Sequence, residues 1–397
     1  MTHSEKAHFP SLSSRLDAVR ESLPIDRLYP FREDVGINFQ LNRFLIATEV
    51  DLFASIARHI ADVSDWKPQF LAAARAAEGA GSLATAAQLY RAAEFYMDPQ
   101  DADRNSTYVK FMDLFYRSEA TAGFERAEVT YGSITMHAIS LQSTGTRRGA
   151  IVLHGGFDSY LEEFLDIARA FGTCGYDVVL FDGPGQGTTL MQHGHTMTPD
   201  WDRPVGAVID HFGLDDVTLI GVSLGGCLAL RAAAAEPRVT RVVAWDAMLD
   251  FFDTVTAARG RALQRLISTL LSLKLTRILD SRTKTIMAKD FAARWGIEQG
   301  MHVTGSSKPS QFFEALRRYN TFDVSPRIRQ HVLVMAGAED HFVPAGQFHK
   351  QVGILTGARS VSSELFTAAE DAQSHCQVGN QSLSVGRIAQ WIEGHPR

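Results

Sequence analysis

Val217-Thr218-Leu219-Ile220-Gly221-Val222-Ser223-Leu224-Gly225-Gly226-Cys227 is the stretch on which the reading of this chain turns. Val217–Ile220 is a short apolar run of strand type, and Leu224–Ala235 is rich in alanine and leucine, a helical pattern. Between them lies G-x-S-x-G. A bare five-residue pattern of this kind arises often by chance. Set between a strand and a helix, it marks a turn so sharp that glycine must flank the serine. Such a turn lifts a hydroxyl above a sheet edge and aims the backbone N–H of Leu224 at the same point. The alternative is a glycine-rich helix start that holds a phosphate, but the lysine of a Walker loop is missing here.

Outward from this stretch, short apolar segments alternate with helical ones. The strand candidates are Phe124–Tyr131, Ile134–Gln142, Ala150–Leu153, Asp177–Phe181, Val217–Ile220, Val239–Trp245, His331–Met335 and Ser360–Phe366. The first two form a hairpin around Gly132-Ser133. Helical stretches fall between the others at Leu161–Phe171, Val205–Phe212 and Gly346–Val352. Strand–helix alternation of this length predicts an α/β fold: a mostly parallel sheet with helices on both faces. One connection, from Leu249 to Arg329, is far longer than the rest. Phe251–Leu279 and Gln311–Tyr319 inside it are helical in pattern, so a helical insertion at about 250–325 is expected to help form a lid.

Residues 1–120 differ in texture. Asn42–Ile60 places Leu45, Leu52, Phe53, Ile56 and Ile60 at helical spacing. Lys67–Ala77 and Leu83–Tyr96 read as a helical hairpin broken by Gly79-Ala80-Gly81, and Asp103–Arg117 as a further amphipathic helix. The expected organisation is a helical N-terminal part at 1–120 and a sheet-bearing core at 121–397.

Three positions carry the expected chemistry. Ser223 is the candidate nucleophile. With such a turn, the acid and then the histidine follow along the chain. His331–Met335 is followed by Ala336-Gly337-Ala338-Glu339-Asp340-His341-Phe342-Val343-Pro344, whose spacing selects Asp340. Glu339 is the alternative, and Asp246, after Val239–Trp245, a further one. Among 14 histidines, His375 follows the last strand, whereas His395 lies too near the terminus to be held firmly. His341 is read as a wall or packing residue. Acyl chemistry also needs two N–H donors for a developing oxyanion. Leu224 is one, and the turn His154-Gly155-Gly156-Phe157-Asp158-Ser159 offers Gly156 or Phe157 as the other. Asp182-Gly183-Pro184-Gly185-Gln186-Gly187 reads as rigid architecture beside the site.

Composition narrows the class. The 397 residues are 45% hydrophobic and 21% charged, with net charge −6 and no basic stripe, so no nucleic-acid partner is expected. Cys174, Cys227 and Cys376 are odd in number and lack metal-ligand spacing, so no disulfide framework and no metal are expected. Cys376, with no second ligand near it in sequence, reads as a buried thiol. No leader and no membrane-length apolar run is seen, and a cytoplasmic protein without cofactor or membrane partner is expected.

His154-Gly155-Gly156, Phe181-Asp182-Gly183-Pro184-Gly185-Gln186-Gly187, Gly221–Gly226 and His375-Cys376-Gln377-Val378-Gly379-Asn380, behind a helical N-terminal part, together resemble one branch of the α/β-hydrolases. That branch holds 2,6-dihydroxypseudooxynicotine hydrolase, the fungal polyketide-shortening hydrolases of the yellowish-green pigment type and the fermentation-respiration-switch esterase. The resemblance implies a Ser223–His375–Asp340 triad, a small carbonyl substrate held between the helical part and the core, and a homodimer. In the first two kinds it implies cleavage of a carbon–carbon bond beside a ketone, assisted by an acidic residue near the oxyanion turn. Asp158, Glu162 and Glu163 are the candidates, although helical spacing also fits Glu162 and Glu163 as surface charges. Ester, thioester or lactone cleavage, acyl transfer or cyclisation, and a binding role without catalysis are the competing readings.

Overall fold

The computed structural model describes residues 12–396 apart from 145, 258 and 259; the first eleven positions of the N-terminal part therefore lie outside the described residues. Eight strands form one sheet: β1 (Phe124–Tyr131), β2 (Ile134–Leu141), β3 (Gly149–His154), β4 (Tyr176–Asp182), β5 (Val217–Val222), β6 (Val239–Trp245), β7 (His331–Gly337) and β8 (Ser360–Phe366). Their spatial order is β1-β2-β4-β3-β5-β6-β7-β8. β1 pairs antiparallel with β2 and β2 antiparallel with β4, and the remaining pairs are parallel. The chain thus steps from β3 to one side (β4) and then to the other (β5). A crevice opens at the carboxyl ends of strands where the order reverses in this way.

The central strands are buried on both faces, and side-chain alternation sorts them into two cores. Ile151, Leu153, Val178, Leu180 and Ile220 face one core, which is closed by the helices Leu165–Thr173 and Gln381–Gly394. Val152, Val179, Phe181, Leu219 and Val242 face the other, closed by Asp202–His211, Leu224–Ala233 and Gly346–Ile354. Burying a large side chain such as Phe171 or Phe312 stabilises the fold by about 1.5–3 kcal/mol, and both are 0% exposed. β8, the edge strand, alternates intermediate and exposed positions until its last residue, as an edge with one half-covered face requires.

The N-terminal helices Val35–Arg43, Val50–Arg58, Trp66–Gly79, Leu83–Phe95 and Arg104–Arg117 share the first core: Phe44, Phe53, Trp66, Phe70, Tyr108 and Phe111 cluster with Ile151 and Phe171. The single helix expected over Asn42–Ile60 is two. The first ends at Arg43, because the Asn42 side chain is spent on Tyr29 and Asn38 backbone groups and Phe44 drops into the core in a non-helical conformation. A short 3₁₀ turn at Ala47–Glu49 then leads into Val50–Arg58.

Among the described residues, the long connection after β6 carries five α-helices: Phe251–Ala257, Arg261–Ser272, Thr276–Met287, Phe291–Thr304 and Pro309–Leu316. The expected run Phe251–Leu279 is broken near Gly260, whose φ is 99°, and again at Leu273–Leu275. Phe291–Thr304, a helix that the sequence reading left out, ties the insertion to the N-terminal part. Trp295 donates its indole N–H to Phe95 O at 2.8 Å and its ring packs 4.8 Å from that of Phe95. No described helix is long and apolar enough to cross a membrane.

Candidate active site

Ser223 sits between β5 and the helix Leu224–Ala233 with φ 62° and ψ −125°, a strained combination for a residue bearing Cβ. The turn tolerates it because Gly221 and Gly225, two residues away on either side, let the strand and the helix meet closely. A Cβ on Gly221 would lie 1.9 Å from Gly225 O, inside the backbone of the following helix. As the first helical residue, Leu224 has an N–H with no acceptor within the helix.

The end of β3 runs beside this turn, with His154 in register with Gly221. A Cβ on Gly156 would lie 2.7 Å from Leu224 N and 2.8 Å from Val222 O, so only glycine lets the two turns touch. Gly156 N–H is directed to Ser159 Oγ at 3.3 Å. Of the two donors expected there, Phe157 N–H is the one left without an acceptor among the described residues. Two neighbours hold the turn. Gln186 Nε2 donates to Gly155 O (2.7 Å) and Gly156 O (3.0 Å), and Trp201 donates to His154 Nε2 (3.1 Å) while His154 Nδ1 lies 2.8 Å from Gly155 O. Burial lowers His154 to about 4, so its ring is neutral and the indole fixes its tautomer. The Asp182–Gly187 loop is therefore a brace, as its glycines and proline suggest.

His375, after β8, reaches back to Ser223, the candidate nucleophile. Its Nε2 lies 2.8 Å from Ser223 Oγ, and its Nδ1 lies 2.6 Å from Asp340 Oδ2. Asp340 Oδ1 accepts the N–H groups of Phe342 (2.7 Å) and Val343 (3.0 Å). Burial pushes the Asp340 carboxyl up, but the facing imidazole and these N–H groups outweigh it and hold the acid below its ordinary value. Glu339, the alternative acid, is exposed and makes no pair with His375. Asp246 comes much closer than its low rank in the sequence reading implies. It is fully buried, and its Oδ2 lies 3.2 Å from the same Nδ1 and accepts Cys376 N–H at 2.6 Å. Burial raises the Asp246 carboxyl, with His375 acting against it. Burial lowers His375, but the Asp340 charge and hydrogen bonds to both carboxylates more than compensate, so it is raised well above 6.5.

Cys376 is not isolated, as its sequence neighbourhood suggested: ligand atoms of Asp246, His375 and Cys376 lie within 4.8 Å of one another. Both imidazole nitrogens are already engaged, by Ser223 and by the carboxylates, which leaves none to ligate a metal there. Burial pushes the Cys376 thiol up, and its Sγ lies 3.8 Å from Trp245 O. His341 packs edge-on against Phe39 and tilted against Phe342, whose rings also flank His375 at 6.3 and 5.2 Å. Phe39 brings the N-terminal helices to His375 and was not among the residues that the sequence singled out. His395 lies elsewhere, against Trp391 and His331.

The three candidate assisting acids are occupied, and none is a surface charge. Asp158 pairs with Arg43 at 3.0 Å; Glu163 pairs with Arg43 at 2.9 Å and Arg91 at 2.7 Å. Burial pushes Glu163 up, but the two arginines prevail and lower it. Glu162 is buried, accepts the Tyr116 hydroxyl at 2.7 Å, and is raised to about 7 by burial. Its environment is the Tyr116–His137 pair and the buried Asp182, not the triad. The helical spacing that suggested surface charges missed this because the partners come from the N-terminal helices.

A model of the alpha/beta hydrolase fold matches residues 150–352. Hydrolase acrC of Aspergillus aculeatus is 30% identical over 302 residues, covering 66% of this chain and 68% of that one. Among solved structures, AbyA5 superposes with a TM-score of 0.67 at 20% identity, covering 92% of this chain and 96% of its own. The 2,6-dihydroxy-pseudo-oxynicotine hydrolase superposes with a TM-score of 0.58 at 18% identity, covering 94% of each chain. At such identity the two structures share the fold. With the sheet order, the serine turn and these relatives in hand, the chain belongs to the α/β-hydrolase fold family and is a hydrolase.

Proposed function

We propose that the chain cleaves a bond at a substrate carbonyl through an acyl-enzyme on Ser223, and that the bond is a carbon–carbon bond next to a ketone in an aromatic or polyketide-like molecule. The observation that carries the reading is the continuous Ser223–His375–Asp340 chain, at 2.8 and 2.6 Å. His375 Nε2 takes the hydroxyl proton as Oγ bonds to the carbonyl carbon. Leu224 and Phe157 N–H groups stabilise the oxyanion. When the tetrahedral adduct collapses, the carbon–carbon bond breaks and its electron pair passes into the neighbouring ketone as an enolate. The imidazolium proton then goes to that fragment. Water, deprotonated by His375, hydrolyses the acyl-enzyme to a carboxylic acid and restores Ser223. Asp340 holds the imidazole tautomer and stabilises the imidazolium. The substrate is placed between the N-terminal helices and the carboxyl end of the sheet. The resemblance in the FDGPGQG and HCQVGN segments supports the carbon–carbon version.

A second reading, ester or thioester cleavage by the same triad, is favoured by one observation: Asp158 and Glu163 are tied to arginines rather than free to assist enolate formation. Two measurements separate these readings. A fluorophosphonate probe should label the protein, and Ser223→Ala should abolish labelling; no labelling of folded protein overturns the catalytic reading in favour of a binding role. Turnover of aryl β-diketones above that of short p-nitrophenyl esters supports carbon–carbon cleavage, and the reverse order supports the esterase.

A further inference from the structure

The insertion carries a surface that the triad does not use. The helices Arg261–Ser272 and Thr276–Met287 pack as a hairpin, burying Ile267, Leu270 and Leu271 from the first and Leu279 from the second. Every residue from Ser272 to Ile278 is exposed. Leu273 is 63%, Ile278 49% and Leu275 40% exposed, and Leu266, on the same side of the first helix as Leu273, is 51% exposed. These are four of the ten large apolar side chains exposed among the described residues. The turn itself is firmly closed. Leu275 N–H donates to Leu270 O at 2.8 Å and Lys274 N–H to Leu271 O at 3.0 Å, the Schellman pattern of a helix end. Its left-handed position, with φ 55°, is one that glycine normally fills, but here it is Lys274. The tip thus holds a cation between two exposed leucines at a conformational cost.

Charge sets the hairpin apart from the rest of the chain. From Arg261 to Lys289 there are seven cations and one acid, Asp280, in a chain of net charge −6. Asp280 turns inward and accepts Ser310 N–H at 2.8 Å. Arg261 pairs with Asp253. Arg265, Lys274, Arg277, Arg282, Lys284 and Lys289 are all exposed, and none of them enters an ion pair among the described residues. The segment contains no aromatic residue. Protein interfaces concentrate Tyr, Trp and Phe and are poor in Lys, so a protein partner fits this composition badly. A second copy set against it by a two-fold axis would bring like charges face to face. Aliphatic side chains at a turn ringed by Lys and Arg are what an anionic lipid surface accepts.

We propose that the hairpin Arg261–Met287 docks the protein on an anionic membrane surface. Leu273, Leu275 and Ile278 enter the headgroup boundary, and the surrounding cations face acidic headgroups. The expectation of no membrane partner rested on the length of apolar runs, a criterion for crossing a bilayer and not for lying on one. Cations scattered among apolar residues also do not read as a basic stripe in sequence. The proposal is independent of the reading of Ser223.

The test is flotation of the full chain with vesicles of phosphatidylcholine alone and of phosphatidylcholine with about 30% phosphatidylglycerol, in about 0.15 M salt. Partitioning onto the anionic vesicles is expected to be about tenfold stronger or more, and to weaken at about 0.5 M salt. Lys274→Glu made together with Arg277→Glu should lower it about 30-fold or more. Leu273→Ser made together with Leu275→Ser keeps every charge and should lower it about tenfold. All four side chains are exposed, so both variants are expected to fold, which thermal unfolding checks. No preference for anionic vesicles overturns the proposal. So does a preference that either folded variant retains in full: if the glutamates leave it unchanged, another surface binds; if the serines do, the cations hold any polyanion, an acidic protein or a nucleic acid included, without insertion. A dimer lost in the serine variant, with no vesicle binding by the wild type, assigns the surface to a second copy and overturns it too. None of these results touches the Ser223 reading, which fluorophosphonate labelling scores separately.

Discussion

Replacing Asp246 by Asn tests whether His375 feels one carboxylate or two. Asp246 Oδ2 lies 3.2 Å from the imidazole Nδ1. Asn keeps an acceptor for Cys376 N–H, which Asp246 holds at 2.6 Å, so the geometry is expected to survive. Only the neutral imidazole accepts the serine proton, so kcat/KM rises with pH through the His375 pKa. Because the carboxylates raise that pKa above 6.5, the rise is expected on the alkaline side of an ordinary histidine. Removing a negative charge lowers the imidazolium's stability, so the midpoint must move down. Two unit charges at this separation interact by about 1.3 kcal/mol even with water-like screening, which is about one pH unit. The assay is the pH profile of kcat/KM for a hydrolysed p-nitrophenyl ester, wild type against Asp246→Asn. A midpoint that stays put or moves up means Asp246 carries no charge that His375 senses, and the argument from distance fails.

Loss of the orienting acid costs other serine hydrolases about 10⁴-fold in kcat; with Asp246 still in reach, Asp340→Asn alone should lose less, about 100-fold, while the double variant with Asp246→Asn falls further than the product of the singles. Multiplicative losses in steady-state kinetics would show that the two acids act independently. Glu163→Gln should destabilise the fold by about 3 kcal/mol, because it leaves two buried guanidinium groups short of a carboxylate. Urea denaturation that finds a loss under about 0.5 kcal/mol would count against the pairs Glu163 makes with Arg43 and Arg91 in solution. That carboxyl is lowered in the fold, so its contribution is expected in full above the unfolded carboxylate range and to fade as pH falls through the folded value.

The candidate serine, histidine and first-choice acid were legible because each follows a strand of the parallel sheet, Ser223 directly after β5 and Asp340 and His375 in the loops after β7 and β8, where chain order does the selecting. β6 and β8 match their expected bounds, and β5 and β7 extend only a few residues further. The second acid was ranked low because its role comes from pairing rather than order. β6 lies beside β7, with Trp245 in register with Met335, and this carries Asp246 to an imidazole whose neighbour Cys376 is 130 residues away in sequence. The partners of the candidate assisting acids were not legible for the same reason. Arg43 lies 120 residues and Arg91 72 residues from Glu163, and nothing local in Leu161–Phe171 marks its glutamates as buried. Periodicity also bridged the break after Arg43, since Leu45 and Leu52 happen to keep helical spacing across a segment that is not one helix.

β3 and β5 are hydrogen-bonded neighbours, with His154 opposite Gly221. The candidate nucleophile Ser223 and the turn after β3 each begin within a residue or two of that pair, so the spacing between the two turns is inherited from the ladder itself, about 4.8 Å between strands. The placement of the serine turn against the glycine turn is thus a property of the main chain, while the helices packed over it are set by side-chain contacts. A substitution on those helices can therefore change what lies above the two turns without moving the turns themselves.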